Sequence, residues 1–220
     1  MKFALLIYPG VEPIDLAPLG VLSMARRLEP SISCCTIARA SGETLLSNGL
    51  KVIADHALSK APDLDVVIVA GGPGWVEESQ QQETLEFLKE IASRAQIMSI
   101  CTGAMILANS GLLSGRKATT KREVVPPEEA PIAVMRREHR DIEVVEASLV
   151  DGGTIITAGG VSLCIDATLY LLEKCYGVTL AAETARIMEY HRAWDANKNN
   201  FRAEHDDLER QPSGREPQRA

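Results

Sequence analysis

The chain has 220 residues, 45% of them hydrophobic and 24% charged, with a formal net charge of −7. This length and apolar content predict one domain, residues 1–196, with a buried core. The acidic balance and scattered basic residues exclude a nucleic-acid surface, which needs clustered Lys and Arg. The longest apolar runs, such as DVVIVAGG and MILANSGLL, fall short of the roughly 18 to 20 residues that cross a bilayer, so no membrane segment is expected.

The N-terminus, MKFALLIYPGVEPID, has one lysine and a short apolar run, as a secretion leader would. Pro9, Glu12 and Asp15 interrupt it before any small-residue cleavage site, so KFALLIY is read as a first strand. Ile14, Leu19, Val21, Leu22 and Arg26 suggest a helix after it. SISCCTIA is strand-like, and GETLLSNGLKVIADHAL, with its Asn-Gly turn, predicts a hairpin attached to the sheet. DVVIVAG is a strand buried on both faces. Leu85, Leu88 and Ile91 place a helix over Thr84 to Arg94, and QIMSI is the next strand. EVVEASLVDGGTIITAGG reads as a strand pair around an Asp-Gly-Gly turn. Helices follow over VSLCIDATLYLLEKCYG and from about Thr179 to Tyr190.

Alternating strands and helices imply an α/β fold with a mainly parallel sheet covered on both faces. Residues 197–220 change character. They are polar, with only Phe201 and Leu208 as large apolar groups, and their five basic and five acidic residues cancel. This tail is expected to be mobile or to lie over a partner subunit.

The five cysteines, at positions 34, 35, 101, 164 and 175, lack the C-x-x-C spacing of zinc or redox sites. Neither a disulfide framework nor a metal site is suggested, and reduced thiols fit the cytoplasm. Cys34 and Cys35 sit in a strand pattern, Cys164 and Cys175 on an apolar helix, and all four read as packing residues. Cys101 differs, because it stands at a joint between a strand-like run and a helix-like one.

In a parallel sheet, functional groups gather where loops leave the carboxyl ends of the strands. Three such loops are YPGVEPIDLAPLG, GGPGWVEE and CTGA, so Asp15, the Gly71 to Gly74 loop and Cys101 are expected to meet. The helix following Cys101 would lower the pKa of its thiol and leave thiolate present near neutral pH. Backbone N–H groups of GGPG, at Gly72 and Gly74, would offer donors to an anion developing on a substrate. The competing reading makes Cys101 a small buried residue.

SICTGAMILANSGLLSGRKATT, with AGGPG upstream and IITAGGVSLCID downstream, resembles the DJ-1/PfpI superfamily over roughly residues 2 to 190. Within it the chain is similar to the isonitrile (isocyanide) hydratases, through Asp15 in GVEPIDLAPLG and Thr102 directly after the cysteine. PfpI-type peptidases look like Cys followed by His, and DJ-1-like stress proteins carry a Glu after strand one and Cys followed by Ala. The resemblance implies a flavodoxin-like three-layer sandwich, a homodimer whose second subunit borders the active site, and no metal or organic cofactor. It also implies the addition of water to a small-molecule isocyanide, R–N≡C, giving an N-substituted formamide. Where family members usually read ATTHW, this chain has ATTKREV, with Lys121 in place of a histidine and Arg122 in place of a tryptophan.

The resemblance further implies that Cys101 attacks the terminal isocyanide carbon while that carbon gains a proton, giving a thioimidate that water hydrolyses. An unperturbed Asp, with a pKa of about 3.9, is ionised at neutral pH and cannot donate a proton. Either burial beside a thiolate raises the Asp15 pKa, or Cys101 begins as a thiol whose proton Asp15 takes and passes on. A plain alternative for Asp15 is a helix N-cap. The Thr102 hydroxyl could bond the sulfur or substrate, or simply the first helical turn. Asp166 reads as a helix-end charge, and at least three of the four histidines as surface residues.

Other activities compatible with a DJ-1/PfpI cysteine are glyoxalase-, amidase- or peptidase-like turnover and a thiol stress response. A ligand-sensing domain, as in AraC-type regulators, is a third possibility. The polar tail is too short to hold a helix-turn-helix module.

Overall fold

The structure, a computed structural model, describes residues 1–200 and 203–205. In chain order, β1 (Lys2–Leu6) leads through a 3-10 turn (Pro13–Leu16) into α1 (Ala17–Ala25), followed by β2 (Ser33–Ala38). β3 (Gly42–Leu45) and β4 (Lys51–Ala54) pair antiparallel across the Asn48-Gly49 turn. β5 (His56–Ala57), β6 (Val66–Val69), α2 (Trp75–Glu78), α3 (Gln82–Ile91) and β7 (Gln96–Ser99) come next. Then follow α4 (Gly103–Asn109), β8 (Lys117–Ala118), α5 (Pro131–Glu138), β9 (Glu143–Val144), β10 (Leu149–Asp151) and β11 (Ile155–Ala158). The last described elements are α6 (Leu163–Tyr176), α7 (Val178–Ile187), α8 (His191–Asn200) and β12 (Ala203–His205).

The main sheet runs β12-β10-β11-β7-β6-β1-β2-β5, and all of its pairings are parallel except β10 with β11. β7 and β6 lie at its centre, and all four residues of β6, VVIV, are buried. An uninterrupted run of β-branched residues is what a strand covered on both faces requires. Each such side chain contributes about 1.5 to 3 kcal/mol by leaving water. One helix group, α1, α6, α7 and α8, packs together, and a second forms around α4 from α2, α3 and α5. The three layers of the expected sandwich result.

The β3–β4 hairpin forms its own small sheet, and β5 rather than the hairpin makes the edge pairing with β2. At the other edge, the buried Asp151 carboxylate accepts bonds from Tyr170 Oη at 2.7 Å and Lys174 Nζ at 2.6 Å, tying α6 to β10. The boundary expected at residue 196 falls inside α8. That helix is held by Asp166, whose Oδ2 accepts bonds from Asn197 Nδ2 at 2.9 Å and Tyr190 Oη at 3.2 Å. Asp166 is thus buried and holds a neighbouring helix, beyond the helix-end charge expected of it. Residues 203–205 add a strand beside β10. The rest of the tail on which mobility or partner contact was expected lies outside the described residues. No described helix is long and apolar enough to cross a membrane.

Candidate active site

Cys101 occupies the sharp turn between β7 and α4 and has φ +52°, in the left-handed region. For a residue with a Cβ this conformation costs about 1 to 2 kcal/mol and persists only where neighbours over-determine it. The restraints are visible. The Cys101 N–H donates to the Gly159 carbonyl at 3.2 Å, and the Thr120 hydroxyl donates to the Cys101 carbonyl at 2.8 Å. Cys101 is therefore fixed from the loop after β11 and from the segment after β8.

The three loops expected to converge do so. The Gly71 N–H donates to Asp15 Oδ2 at 2.8 Å, and the Glu12 N–H donates to the Gly71 carbonyl at 3.0 Å. The Gly72 N–H donates to Thr102 Oγ1 at 2.8 Å, and the Thr102 hydroxyl lies 3.1 Å from the Gly72 carbonyl it can donate to. Asp15 sits in the 3-10 turn before α1 and is completely buried. It caps no helix, since the N-cap of its own turn is Glu12 and its carboxylate reaches across to the loop after β6. Its second oxygen, Oδ1, is buried without a fixed donor, a lone pair toward which the Cys101 S–H can turn.

Burial raises the Asp15 carboxyl to about 7, against the bonds from Gly71 and Cys101, which lower it. Burial also pushes the Cys101 thiol up to about 12, with the Asp15 charge adding to the rise. The N–H of Thr102 opposes that rise without cancelling it. The expected thiolate is corrected here: α4 begins only at Gly103 and has seven residues, and desolvation of a 2% exposed sulfur outweighs its N-terminal field. Cys101 rests as a thiol beside a carboxyl that titrates near neutrality.

A pocket of about 600 Å³, within the usual range for small-ligand sites, opens over the sulfur. Cys101, Thr102 and Gly72 form its floor, with apolar walls from Trp75, Val124 and Val161 and charged groups at Glu12, Lys121, Glu128 and Glu129. Asp15 is absent from this lining and meets the pocket through Cys101.

The glycine loop departs from expectation. Gly72 lines the pocket, but its N–H is already bound to Thr102. Gly74 does not line it. Its N–H donates to the Gly10 carbonyl at 3.2 Å, and a Cβ at Gly74 would lie 1.9 Å from the Pro9 carbonyl oxygen. The loop serves close backbone packing rather than donating to an anion. Thr102 likewise spends its hydroxyl on that loop. Lys121 lines the pocket, whereas Arg122 turns away toward the Glu146 carbonyl at 3.4 Å. Cys164 is packed beneath, with its Sγ 3.5 Å from the Ile14 carbonyl.

Three contributors carry no role in the sequence reading. Gly160 stands against Cys101, and a Cβ there would lie 2.9 Å from its Sγ. Thr120 holds the Cys101 carbonyl. Tyr8 is buried beside Thr102 and donates to the Ala70 carbonyl at 2.9 Å. Gly160 and Thr120 lie in the quoted motifs IITAGG and ATT, which was the available signal. Tyr8 gave none beyond its strand.

Comparison with known proteins agrees with this architecture. The chain is 29% identical over 195 residues to an isonitrile hydratase of Pseudomonas putida, covering 86% of this chain and 78% of that one. It is 26% identical over 158 residues to the HTH-type transcriptional regulator GbdR of Pseudomonas aeruginosa, covering 71% of this chain and 41% of the regulator. A crystal structure of a ThiJ/PfpI family protein from Pseudomonas syringae superimposes with a TM-score of 0.73 at 26% identity, over 86% of this chain and 74% of that one. The model of the DJ-1/PfpI family matches residues 1–174, and with the strained cysteine at its sheet end this chain belongs to that family.

Proposed function

We propose that the chain hydrates isocyanides to N-substituted formamides, with Cys101 as nucleophile and Asp15 as its proton partner. The observation that carries this reading is the buried pair itself: a thiol on a strained turn at the floor of a partly apolar pocket, facing a carboxyl poised near pH 7. An isocyanide carbon must accept both a nucleophile and a proton. A thiolate alone supplies only the first, while a thiol with an adjacent exchangeable acid supplies both.

As sulfur bonds to the terminal carbon, the thiol proton passes to Asp15 and from there to that carbon, giving R–N=CH–S–Cys101. In the second half a water oxygen adds to the same carbon. One water proton passes through Asp15 to the nitrogen, and as the added hydroxyl becomes the formyl C=O and the C–S bond breaks, its proton passes to the sulfur. The products are R–NH–CHO and the thiol, for the net consumption of one water. Thr102 acts in this scheme as a positioning residue, holding the loop that carries Gly71 and Gly72 and pointing its N–H at the sulfur.

The chain is further proposed to act as a homodimer. The β3–β4 hairpin presents Leu45 and Ile53, 54% and 59% exposed, on one face beside the Lys51–Glu43 ion pair, a mixed surface that a second copy could cover. The similarity to GbdR supports a second reading, in which the pocket binds a small ligand without turning it over.

The deciding experiment incubates purified protein with alkyl and aryl isocyanides and measures formamide, beside parallel assays with aldehyde and peptide substrates. Formamide formation that disappears in Cys101→Ala supports the proposal. Turnover of aldehyde or peptide alone moves the function elsewhere in the family, and ligand binding without any turnover favours the sensor reading.

A further inference from the structure

We propose that Lys121 anchors a negatively charged group on the substrate, so that the pocket selects isocyanides carrying a carboxylate. The inference rests on the isocyanide reading and names its substrate class. Lys121 is half-buried and lines the pocket whose floor is formed by Cys101 and Thr102. Among the described residues its ammonium makes no ion pair or hydrogen bond. An unpaired cation on a partly apolar wall leaves its donors open to a ligand carboxylate, which would make a charge-assisted bond there.

The root of the side chain is fixed in relation to the nucleophile. Thr120, the preceding residue, holds the Cys101 carbonyl, and the Lys121 carbonyl accepts the Ile132 N–H at 3.1 Å. The ammonium is therefore presented from a rigid segment close to where the isocyanide carbon must sit.

Among the described residues, none of the carboxylates that share the pocket forms an ion pair with Lys121. Glu129 is paired with Arg137, Glu12 Oε2 accepts the Ser47 hydroxyl at 3.0 Å, and Glu128 is exposed at the mouth. The Lys121 charge acts on both Asp15 and Cys101, and at Asp15 the Glu12 charge opposes it. Apolar Trp75 and Val161 line the same pocket and can pack a small substrate body.

The test compares kcat/KM for isocyanoacetate with that for methyl isocyanoacetate, which differ by one charge. Wild-type protein should favour the acid, and Lys121→Met should lower the acid-to-ester ratio by about tenfold to a hundredfold, the range for a charge-assisted bond. Lys121→Arg should keep most of the preference, and Arg122→Met, outside the pocket, should leave it unchanged. A wild-type preference for the ester, or a ratio that Lys121→Met does not move, overturns the proposal. If neither compound is turned over, the isocyanide reading fails by itself. Calorimetry with N-formylglycine and its methyl ester then decides the anion site: tighter binding of the acid that Lys121→Met removes supports it, and equal binding overturns it.

Discussion

Replacing Asp15 by asparagine separates stability from turnover in a way that few active-site changes do. The folded carboxyl titrates at about 7 because burial disfavours its charge, against an ordinary value of 3.8 in the unfolded chain. Between pH 5 and 7 the folded protein holds a proton that the unfolded chain has released, so stability falls as pH rises, by about 1.4 kcal/mol per unit. The fall amounts to roughly 2 to 3 kcal/mol over that interval and levels off above pH 7. An amide of the same shape can still accept the Gly71 N–H but has no proton to lose, so its stability lacks this slope. Urea unfolding at pH 5 and pH 8.5, followed by tryptophan fluorescence, should show Asp15→Asn gaining roughly 2 to 3 kcal/mol relative to wild type between the two conditions. Isocyanide turnover measured on the same samples should fall by about a hundredfold or more. A stability difference that stays flat with pH would refute the buried-proton argument, and turnover within tenfold of wild type would refute the acid–base role.

Three further outcomes follow from the same geometry. An ultraviolet titration of wild type against Cys101→Ala should show no thiolate step from Cys101 below about pH 10, since burial pushes that thiol up to about 12; a step near pH 7 would restore the thiolate. Thr102→Val should cost about 1 to 3 kcal/mol in unfolding experiments by leaving the buried Gly72 N–H without its acceptor, while Thr102→Ser should retain most of the stability. Gly160→Ala places a methyl 2.9 Å from the sulfur and should reduce kcat more than tenfold with a cost of about 1 to 3 kcal/mol. Undiminished kcat in that variant would show that the sulfur is free to move aside.

Much of the architecture is legible in the sequence because its signals are local. The apolar run of β6, the Asn-Gly turn between β3 and β4 and the Asp-Gly-Gly turn between β10 and β11 each name their element without outside help. α8 escaped because its mean character is polar, and its place depends on Asp166 reaching Tyr190 and Asn197. At the site, strand ends predicted that Asp15, the glycine loop and Cys101 would converge. What the sequence could not carry was competition for partners. The N–H groups of Gly72 and Gly74 look available in a string of letters, yet Thr102 and Gly10 occupy them once the chain is folded. The thiol state failed for a related reason, since a helix start is readable in sequence and the depth of a sulfur is not.

Two side-chain to main-chain bonds, Asp15 to Gly71 and Thr102 to Gly72, lock three separate loops into one unit beneath the sulfur. The other wall, from Lys121 to Val134, hangs from different elements, and Val124, Glu128 and Glu129 in it are fastened to none of those three loops. The reacting pair and that outer part of the pocket are thereby carried on different stretches of chain. A lineage could rewrite the outer wall residue by residue, trading one clientele of small molecules for another, while the reactive centre is inherited intact.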